Sequence, residues 1–303
     1  MVPFNLFRCA GATLLAAVCA TTGAAHAQAT GWRPFVSVTP VYQGDADLDG
    51  GGDYSAMNLI VFAGVAGEIG NGNRAGVTLN YSHTDYSFSN PARFGGAAPW
   101  DAVQRYGMSV PLAFALNDGW SLGVTPTIDW FRETGADMGD SLSWGGIVSA
   151  TKRFDDGNRL GAGVIAVDRI EETSVFPFLL VDWRIGERWR LLNPLPAGPT
   201  GPAGLELDYR FDSGWNLGLG AAWRNTRFRL STDGAVPDGV GEERGMPVFL
   251  RATRAFGEQM SLNLYAGMVY GGELRVEDAS GRTLSEVDFD PAPFLGATFL
   301  ARF

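Results

Sequence analysis

The nine residues WNLGLGAAW, from Trp215 to Trp223, decide the fold of this chain. The odd positions carry large apolar side chains or alanine, and the even positions carry asparagine, glycine or alanine. An alternation with a period of two is typical of a β-strand that has one apolar face. Because a tryptophan lies at each end and the other face is made of small residues, we expect this strand to cross a membrane with its odd side chains in lipid.

The same alternation recurs along the chain, and two kinds of connection separate the alternating runs. Short connections are rich in Gly, Asn and Asp, which suits hairpin turns; they lie at 70–73, 117–119, 155–158, 212–214 and 257–259. Longer polar connections lie at 44–53, 90–101, 133–140, 231–243 and 277–290. The pattern predicts an all-β fold, a single transmembrane antiparallel up-and-down β-barrel with short periplasmic turns and longer external loops.

The runs predict fourteen strands, an even number that returns both termini to the periplasm. The predicted strands are 33–43, 54–69, 74–89, 102–117, 120–132, 141–154, 159–169, 173–185, 189–195, 203–211, 215–230, 244–256, 260–275 and 291–303. The ninth is the weakest, because Pro194 and Pro196 fall within or beside it and proline cannot donate to a ladder. If it and a neighbour do not span, the barrel has twelve strands.

The composition decides between a membrane barrel and its alternatives. No run outside the N-terminal segment holds eighteen consecutive apolar residues, so a helical membrane protein is excluded, although 46% of the chain is hydrophobic. A soluble β-sandwich or lipocalin also alternates. Against that alternative, the polar face is made of small residues, Lys152 is the only lysine, and the aromatic residues lie at strand ends.

Residues 1–27 resemble a secretory signal peptide. One basic residue, Arg8, precedes an apolar stretch and the small-residue pattern Ala25-His26-Ala27. We therefore expect a single mature domain, residues 28–303, in the bacterial outer membrane. Removal of 1–27 also removes both cysteines and leaves a chain more negative than the net charge of −10 of the whole sequence, which argues against nucleic acid as a partner.

The last ten residues, FLGATFLARF, resemble the C-terminal strand of Gram-negative outer-membrane proteins. That strand ends in phenylalanine and is read by the barrel-assembly machinery. The resemblance implies this role for an alternating row, namely Leu295, Ala297, Phe299, Ala301 and Phe303.

A longer stretch, Trp189 to Leu230, together with Val175 to Phe178, is similar to an uncharacterised family of outer-membrane β-barrel domains. This similarity implies the fold and carries no substrate.

Parity along the strands predicts which charged side chains face the lumen. They are Asp129, Arg153, Asp182, Arg184, Glu206, Asp208, Arg210, Arg224 and Arg251. One interpretation is a solute path, in a narrow channel or porin-like protein for passive movement of small solutes. The other is an internal network of ion pairs that fills the barrel, which would then be a closed anchor or a surface receptor.

An outer-membrane hydrolase is the third hypothesis, and it would have to use His83, the only histidine of residues 28–303. The spacing around His83 does not match the serine of outer-membrane phospholipases, because Asp85 stands at that offset; we expect a non-enzyme without cofactor or metal. The acidic loop from Gly44 to Gly50 resembles the start of a calcium loop but lacks its closing glutamate, since position 56 is alanine. The expected partners are outer-membrane lipid, lipopolysaccharide, the barrel-assembly machinery and small solutes.

Overall fold

The computed structural model describes residues 31–196, 198–201 and 203–303 as one closed, antiparallel, fourteen-stranded β-barrel. The first seven strands are β1 (Arg33–Asp47), β2 (Asp53–Gly70), β3 (Asn73–Ser89), β4 (Ala102–Ser109 and Leu112–Ala115), β5 (Trp120–Glu133), β6 (Leu142–Arg153) and β7 (Arg159–Arg169). The other seven are β8 (Glu172–Ile185), β9 (Trp189–Leu192), β10 (Gly204–Arg210), β11 (Trp215–Ala222 and Arg224–Arg229), β12 (Val240–Phe256), β13 (Met260–Glu277) and β14 (Thr283–Phe289 and Ala292–Arg302).

Helical structure is limited to three single turns of 3₁₀ helix in this part of the chain, Ala92–Phe94, Asn117–Gly119 and Gly139–Ser141. No helix among the described residues has the length and apolar character needed to cross a membrane.

The barrel closes because β1 pairs with both β2 and β14. Phe35 lies opposite Gly64 on one side and opposite Arg302 on the other. The amide of Phe303 donates to the carbonyl of Pro34 at 2.9 Å, so the last residue lies beside the start of β1, at the end of the barrel that carries the short turns. The predicted fold class and strand count are therefore confirmed, whereas the predicted signal peptide, residues 1–27, lies outside the described residues.

The outward face of the barrel is the apolar one. Leu217, Leu219 and Trp223 are 42%, 57% and 47% exposed, as the parity of this strand predicts. Near the short turns the outward rings contact each other, since the Tyr209 ring lies 4.7 Å from that of Trp189 and 4.8 Å from that of Phe211. A continuous apolar belt edged by aromatic rings is the surface that a lipid bilayer requires.

The C-terminal row lies on the same outward face. Leu295, Phe299 and Phe303 are exposed, whereas Ala301 is buried. Its recognition by the barrel-assembly machinery stays a prediction.

Three of the predicted external loops are wrong in part. In the segment 44–53, β1 continues to Asp47 and β2 begins at Asp53. The segment 277–290 contains the outer part of β14, Thr283–Phe289, and the segment 231–243 contains the start of β12 at Val240. These outer ends are held by ion pairs between neighbouring strands, such as Arg275 to Glu286 at 2.9 Å. Beyond the bilayer a strand needs no apolar face, so its sequence does not alternate and resembles that of a loop.

Asp278 holds the turn between β13 and β14, outside the bilayer. Its carboxylate accepts hydrogen bonds from the hydroxyl and amide of Ser280 at 2.6 and 3.0 Å and from the amide and side chain of Arg282 at 3.1 and 3.0 Å. The Ser280 hydroxyl first, and then these other donors, lower the pKa of Asp278 to about 2. The ionised carboxylate therefore organises the turn at neutral pH.

The outer part of β11 stays paired with β12 but is no longer paired with β10, and it bends inward. Arg229 makes a bridge to Arg132 of β5, which is not a neighbour of β11 in the wall. Two further contacts continue this crossing: the amide of Ser231 donates to Glu133 at 2.8 Å, and the Phe228 ring lies 5.2 Å from that of Trp100. Because strands on opposite sides of a barrel meet only through the lumen, Arg224–Arg229 crosses the external mouth. We name Arg224–Arg229 and the ring of Trp100 the external cap.

Candidate functional site

A cavity of about 870 Å³ occupies the lumen below the external cap. One side of it is apolar and is lined by inward-facing side chains, among them Phe35, Ile60, Phe62, Ile147, Ile165 and Val167. These residues come from β1, β2, β6 and β7, where the inward positions were expected to be polar. The lumen wall therefore has an apolar side and a polar side. The apolar side was not predicted from the sequence, although the alternation along β2 and β7 places Ile60 and Ile165 on the inward face.

The polar side of the cavity centres on Asp129 of β5. Its carboxylate accepts hydrogen bonds from Arg105 at 2.8 Å and from Asn80 at 3.3 Å. Gly107 lies directly opposite Asp129 in the ladder, and a Cβ at this position would lie only 1.9 Å from the carboxylate oxygen. Asp129 was a predicted lumen residue, whereas Arg105, its counter-charge, was missed although its inward parity follows from that of β4.

Three more of the predicted lumen charges meet in a buried network on the opposite wall. The guanidinium of Arg251 donates to Glu206 at 2.8 Å and lies 3.8 Å from Asp208. Arg251 also donates to Asn263 at 3.4 Å, and Asn216 donates to Asp208 at 2.8 Å. One guanidinium is shared by two carboxylates here, and these hydrogen-bonded side chains fill this side of the lumen, as the alternative interpretation predicted for the whole barrel.

The connection from β9 to β10 folds into the lumen beside this network. Gly198, Pro199 and Thr200 are buried, and all three line the cavity. A Cβ on residue 198 would lie 2.7 Å from the Tyr265 hydroxyl, so glycine is the residue that permits this approach. The loop narrows the barrel from within and leaves the cavity against β1 to β7.

At the external end of the cavity, Arg224 pairs with Glu243 at 2.7 Å and with the amide oxygen of Gln43 at 2.9 Å. Tyr86 donates to the same Glu243 at 2.7 Å, and Gln43 donates to Tyr54 at 2.7 Å. Arg224 was a predicted lumen residue and does line the cavity, but it is held within the external cap.

The other predicted charges gather at the periplasmic end of the lumen. Arg153, Asp182, Arg184 and Arg210 lie on β6, β8 and β10, and the sequence reading missed two arginines between them, Arg159 and Arg190. In the ladders, Arg153 is opposite Arg159, Arg159 is opposite Asp182, and Arg184 is opposite Arg190. We name the five arginines on β6 to β10 the arginine arc: Arg153, Arg159, Arg184, Arg190 and Arg210.

The arginine arc holds more positive charge than its wall carboxylates balance. Arg190 donates to Asp182 at 2.6 Å, whereas Arg153 and Arg159 face each other across a ladder, an arrangement that repels. The adjacent turns also carry acidic residues. Two of them have other partners, since Asp156 accepts from Asn158 and Asp212 accepts from Arg188; the others are Asp155 and Glu187. An anion that enters the lumen from the periplasm would meet this surface first.

His83 lies on the outer face of β3, where parity placed it. Its Nε2 lies 3.0 Å from the Asp85 carboxylate, and Leu59 and Gln104 are its ladder neighbours. Ser82 points to the opposite face and lines the cavity, so it does not lie beside the imidazole as a serine nucleophile would. No group of histidine, cysteine or acidic residues with metal-binding geometry occurs within the described ranges.

The family described as a domain of unknown function (DUF6268) matches residues 100–299. The chain belongs to the DUF6268 family. This membership bears out the resemblance to an uncharacterised barrel family that the sequence from Trp189 to Leu230 indicated. No curated protein matches the DUF6268 chain.

Several solved outer-membrane barrels are similar to this DUF6268 barrel over most of its length. A TodX monoaromatic hydrocarbon channel, in a deletion mutant, is 10% identical over 90% of both chains with a TM-score of 0.48. The toluene transporter TodX of P. putida is 11% identical over 90% of both chains, with a score of 0.43. LpxR from Salmonella typhimurium is 9% identical over 88% of this chain and 99% of its own, with a score of 0.37. At these identities and scores, the three proteins do not bear on the function of the DUF6268 barrel.

Proposed function

We propose that this protein is a narrow channel of the bacterial outer membrane, through which small solutes with both an apolar and a polar part move passively. The observation that carries the proposal is the lumen cavity of about 870 Å³, with Phe62 and Ile165 on one side and Asp129 and Arg105 on the other. A cavity of this size and mixed lining suits a small organic molecule. A barrel that served only as an anchor would gain stability from filling this space.

The external cap favours a second candidate, a closed barrel that acts as an anchor or receptor. Phe228 and Leu230 are 0% and 1% exposed, and the Trp100 ring covers Phe228 from the side. The cap excludes a wide aqueous pore in this conformation. A narrow channel and a closed barrel therefore differ in whether a solute crosses, not in whether a large ion current flows.

Two neighbouring residues of β7 offer a matched test of the channel. Ile165 lines the cavity, whereas Val164 points outward and is 43% exposed. We expect vesicles that contain the native barrel to take up radiolabelled benzoate faster than empty vesicles. Ile165→Trp should lower this uptake, because the larger indole narrows the apolar side of the cavity, and Val164→Trp should leave it unchanged.

Each outcome separates the two candidates. Heat-modifiable migration on a gel first establishes that both variants fold. If the native barrel gives no more uptake than empty vesicles, the channel is wrong and the closed barrel remains. If folded Ile165→Trp takes up benzoate as fast as the native barrel does, the solute does not pass along this side of the cavity.

A further inference from the structure

The barrel wall is incomplete on one side. β8 pairs with β9 only from Asp182 to Ile185, because β9 ends at Leu192. Among the described residues, the outer part of β8 from Glu172 to Phe178 pairs with β7 and has no strand on its other side. β10 begins only at Gly204, and above it β11 turns into the lumen as the external cap. We name this opening between outer β8 and the tops of β10 and β11 the side gap.

Asn193 finishes the ladder at the lower end of the side gap. Its backbone amide donates a hydrogen bond to the carbonyl of Val181, with 3.2 Å between nitrogen and oxygen. Its side-chain oxygen accepts a hydrogen bond from the amide of Val181 at 2.8 Å. Its side-chain nitrogen donates to the carbonyls of Leu179 and Gly204, each at 2.9 Å. One side chain therefore satisfies backbone groups of Leu179, Val181 and Gly204 at the point where the ladder between β8 and β9 ends.

The edge of β8 above Asn193 is adapted to lie unpaired. The bonds from Val181 and Leu179 show that odd residues direct their backbone groups toward the side gap. Pro177 is the next odd residue, and it has no amide hydrogen to leave unsatisfied. Proline within a sheet is confined to such edges, and an open edge at membrane depth persists only where it lines a cavity or meets protein.

The side gap is continuous with the lumen cavity. Trp223, Asn225 and Arg169, which border the gap, also line the cavity. Phe176 faces the same side as Ile165, its partner across the ladder, yet it is 39% exposed because no strand covers its other flank. On the external side the gap is bounded by bonds from Arg169 to Asn225 at 3.2 Å and from Arg227 to the carbonyl of Ile170 at 2.7 Å.

Exposed apolar residues border the side gap, and this favours the passage of apolar groups. Val175, Leu179 and Trp223 are 61%, 59% and 47% exposed. We propose that the side gap is a lateral entrance, through which the apolar part of a small molecule moves between the hydrocarbon of the outer membrane and the cavity while the external mouth stays capped. This inference rests on the proposed channel function and adds the route by which the solute enters.

Single-cysteine variants test whether the side gap meets lipid, since residues 28–303 contain no cysteine. Bimane is attached to Phe176→Cys, Ile165→Cys or Val164→Cys in the chain from residue 28, refolded into bilayers whose acyl chains carry bromine near their middle. Bimane at 164 faces lipid and should be quenched, and bimane at 165 faces the lumen and should not be. We expect bimane at 176 to be quenched as strongly as at 164, although it lies opposite 165 on the inward face.

Quenching at 176 that equals the value at 165 would overturn the lateral entrance. Solute uptake then separates this inference from the channel itself. Uptake without quenching at 176 leaves a channel that has no side entrance, whereas quenching without uptake leaves an open gap in a barrel that does not transport. Attachment of bimane at 176 should also lower benzoate uptake, and unchanged uptake by the labelled protein would place the route elsewhere.

Discussion

At the scale of single residues, Arg251 and Glu206 form a buried ion pair inside the barrel. Both side chains are almost completely buried and are hydrogen-bonded at 2.8 Å. Arg251→Ala leaves the Glu206 and Asp208 carboxylates without a cation, and we expect a loss of about 3–5 kcal/mol in the free energy of unfolding. Reversible urea unfolding in detergent measures this loss.

Arg254 is the control for this substitution, since it lies three residues along the same strand on the outer face, 5.7 Å from the Trp215 ring. Arg254→Ala should cost less than about 1 kcal/mol. The double variant Glu206→Leu, Arg251→Met should recover part of the loss by removing both charges. Equal costs for Arg251→Ala and Arg254→Ala would contradict a structural role for the pair.

The arginine arc gives a second prediction, about selectivity. Arg153→Gln together with Arg159→Gln removes two facing positive charges from the periplasmic end of the lumen. Uptake of anionic benzoate should fall relative to that of neutral benzyl alcohol, because the local attraction for anions is reduced. Lys152→Gln is the control, since Lys152 points outward over the Trp120 ring. If Lys152→Gln shifts the ratio as much, the effect comes from total charge.

The alternation along each strand predicts which face a charged side chain lies on, but it does not predict which charged side chains contact one another. It directs Arg153, Asp182 and Arg251 inward, because side chains alternate along every strand. Which charged side chains contact one another depends on the register between neighbouring strands, and a single sequence does not specify that register. Glu206, Asp208 and Arg251 were therefore predicted as one set with Asp129, although they lie on the other wall.

At the scale of strands, Asn193 is the residue that fixes where β9 ends. Asn193→Ala removes the partner of the Val181 amide and of the Leu179 and Gly204 carbonyls, at about 1 kcal/mol for each lost bond. We expect faster hydrogen exchange of the Val181 amide. Asn193→Asp keeps the acceptor for this amide and should leave its exchange slow, whereas equal exchange in both variants would show that the side chain does not hold the ladder.

The strands within the bilayer were predictable and their outer extensions were not. Hydrocarbon enforces alternation, so the run from Trp215 to Trp223 and its equivalents gave strand positions to within a few residues. Outside the bilayer, β13 and the first part of β14 depend on pairs such as Arg275 and Glu286, for which polarity alone predicts a loop. The prolines after Leu192 correctly identified β9 as the weakest strand, but not the inward path of the loop that follows.

At the scale of the whole molecule, the barrel is capped outside, partly filled along one wall and open toward the side gap. These three features follow from one departure from regular pairing. Because β9 and β10 are short, outer β11 has no neighbour on that side and is free to cross the lumen, where Phe228 packs against Trp100 and Phe131 at 5.2 and 6.0 Å. The external cap and the side gap are thus two consequences of the same shortened strands.

The external cap predicts how the barrel behaves in a planar bilayer. The native protein should show no discrete conductance steps, because buried rings and ion pairs close the external mouth. Phe228→Ala together with Trp100→Ala removes the rings and should produce steps, since water then fills the space between β5 and outer β11. Trp144→Ala, an exposed outward tryptophan at 59%, is the control and should stay silent. Steps in the native protein would mean that the cap does not seal the mouth, and silence of the folded double variant would mean that the ion pairs around Arg227 seal it without the rings.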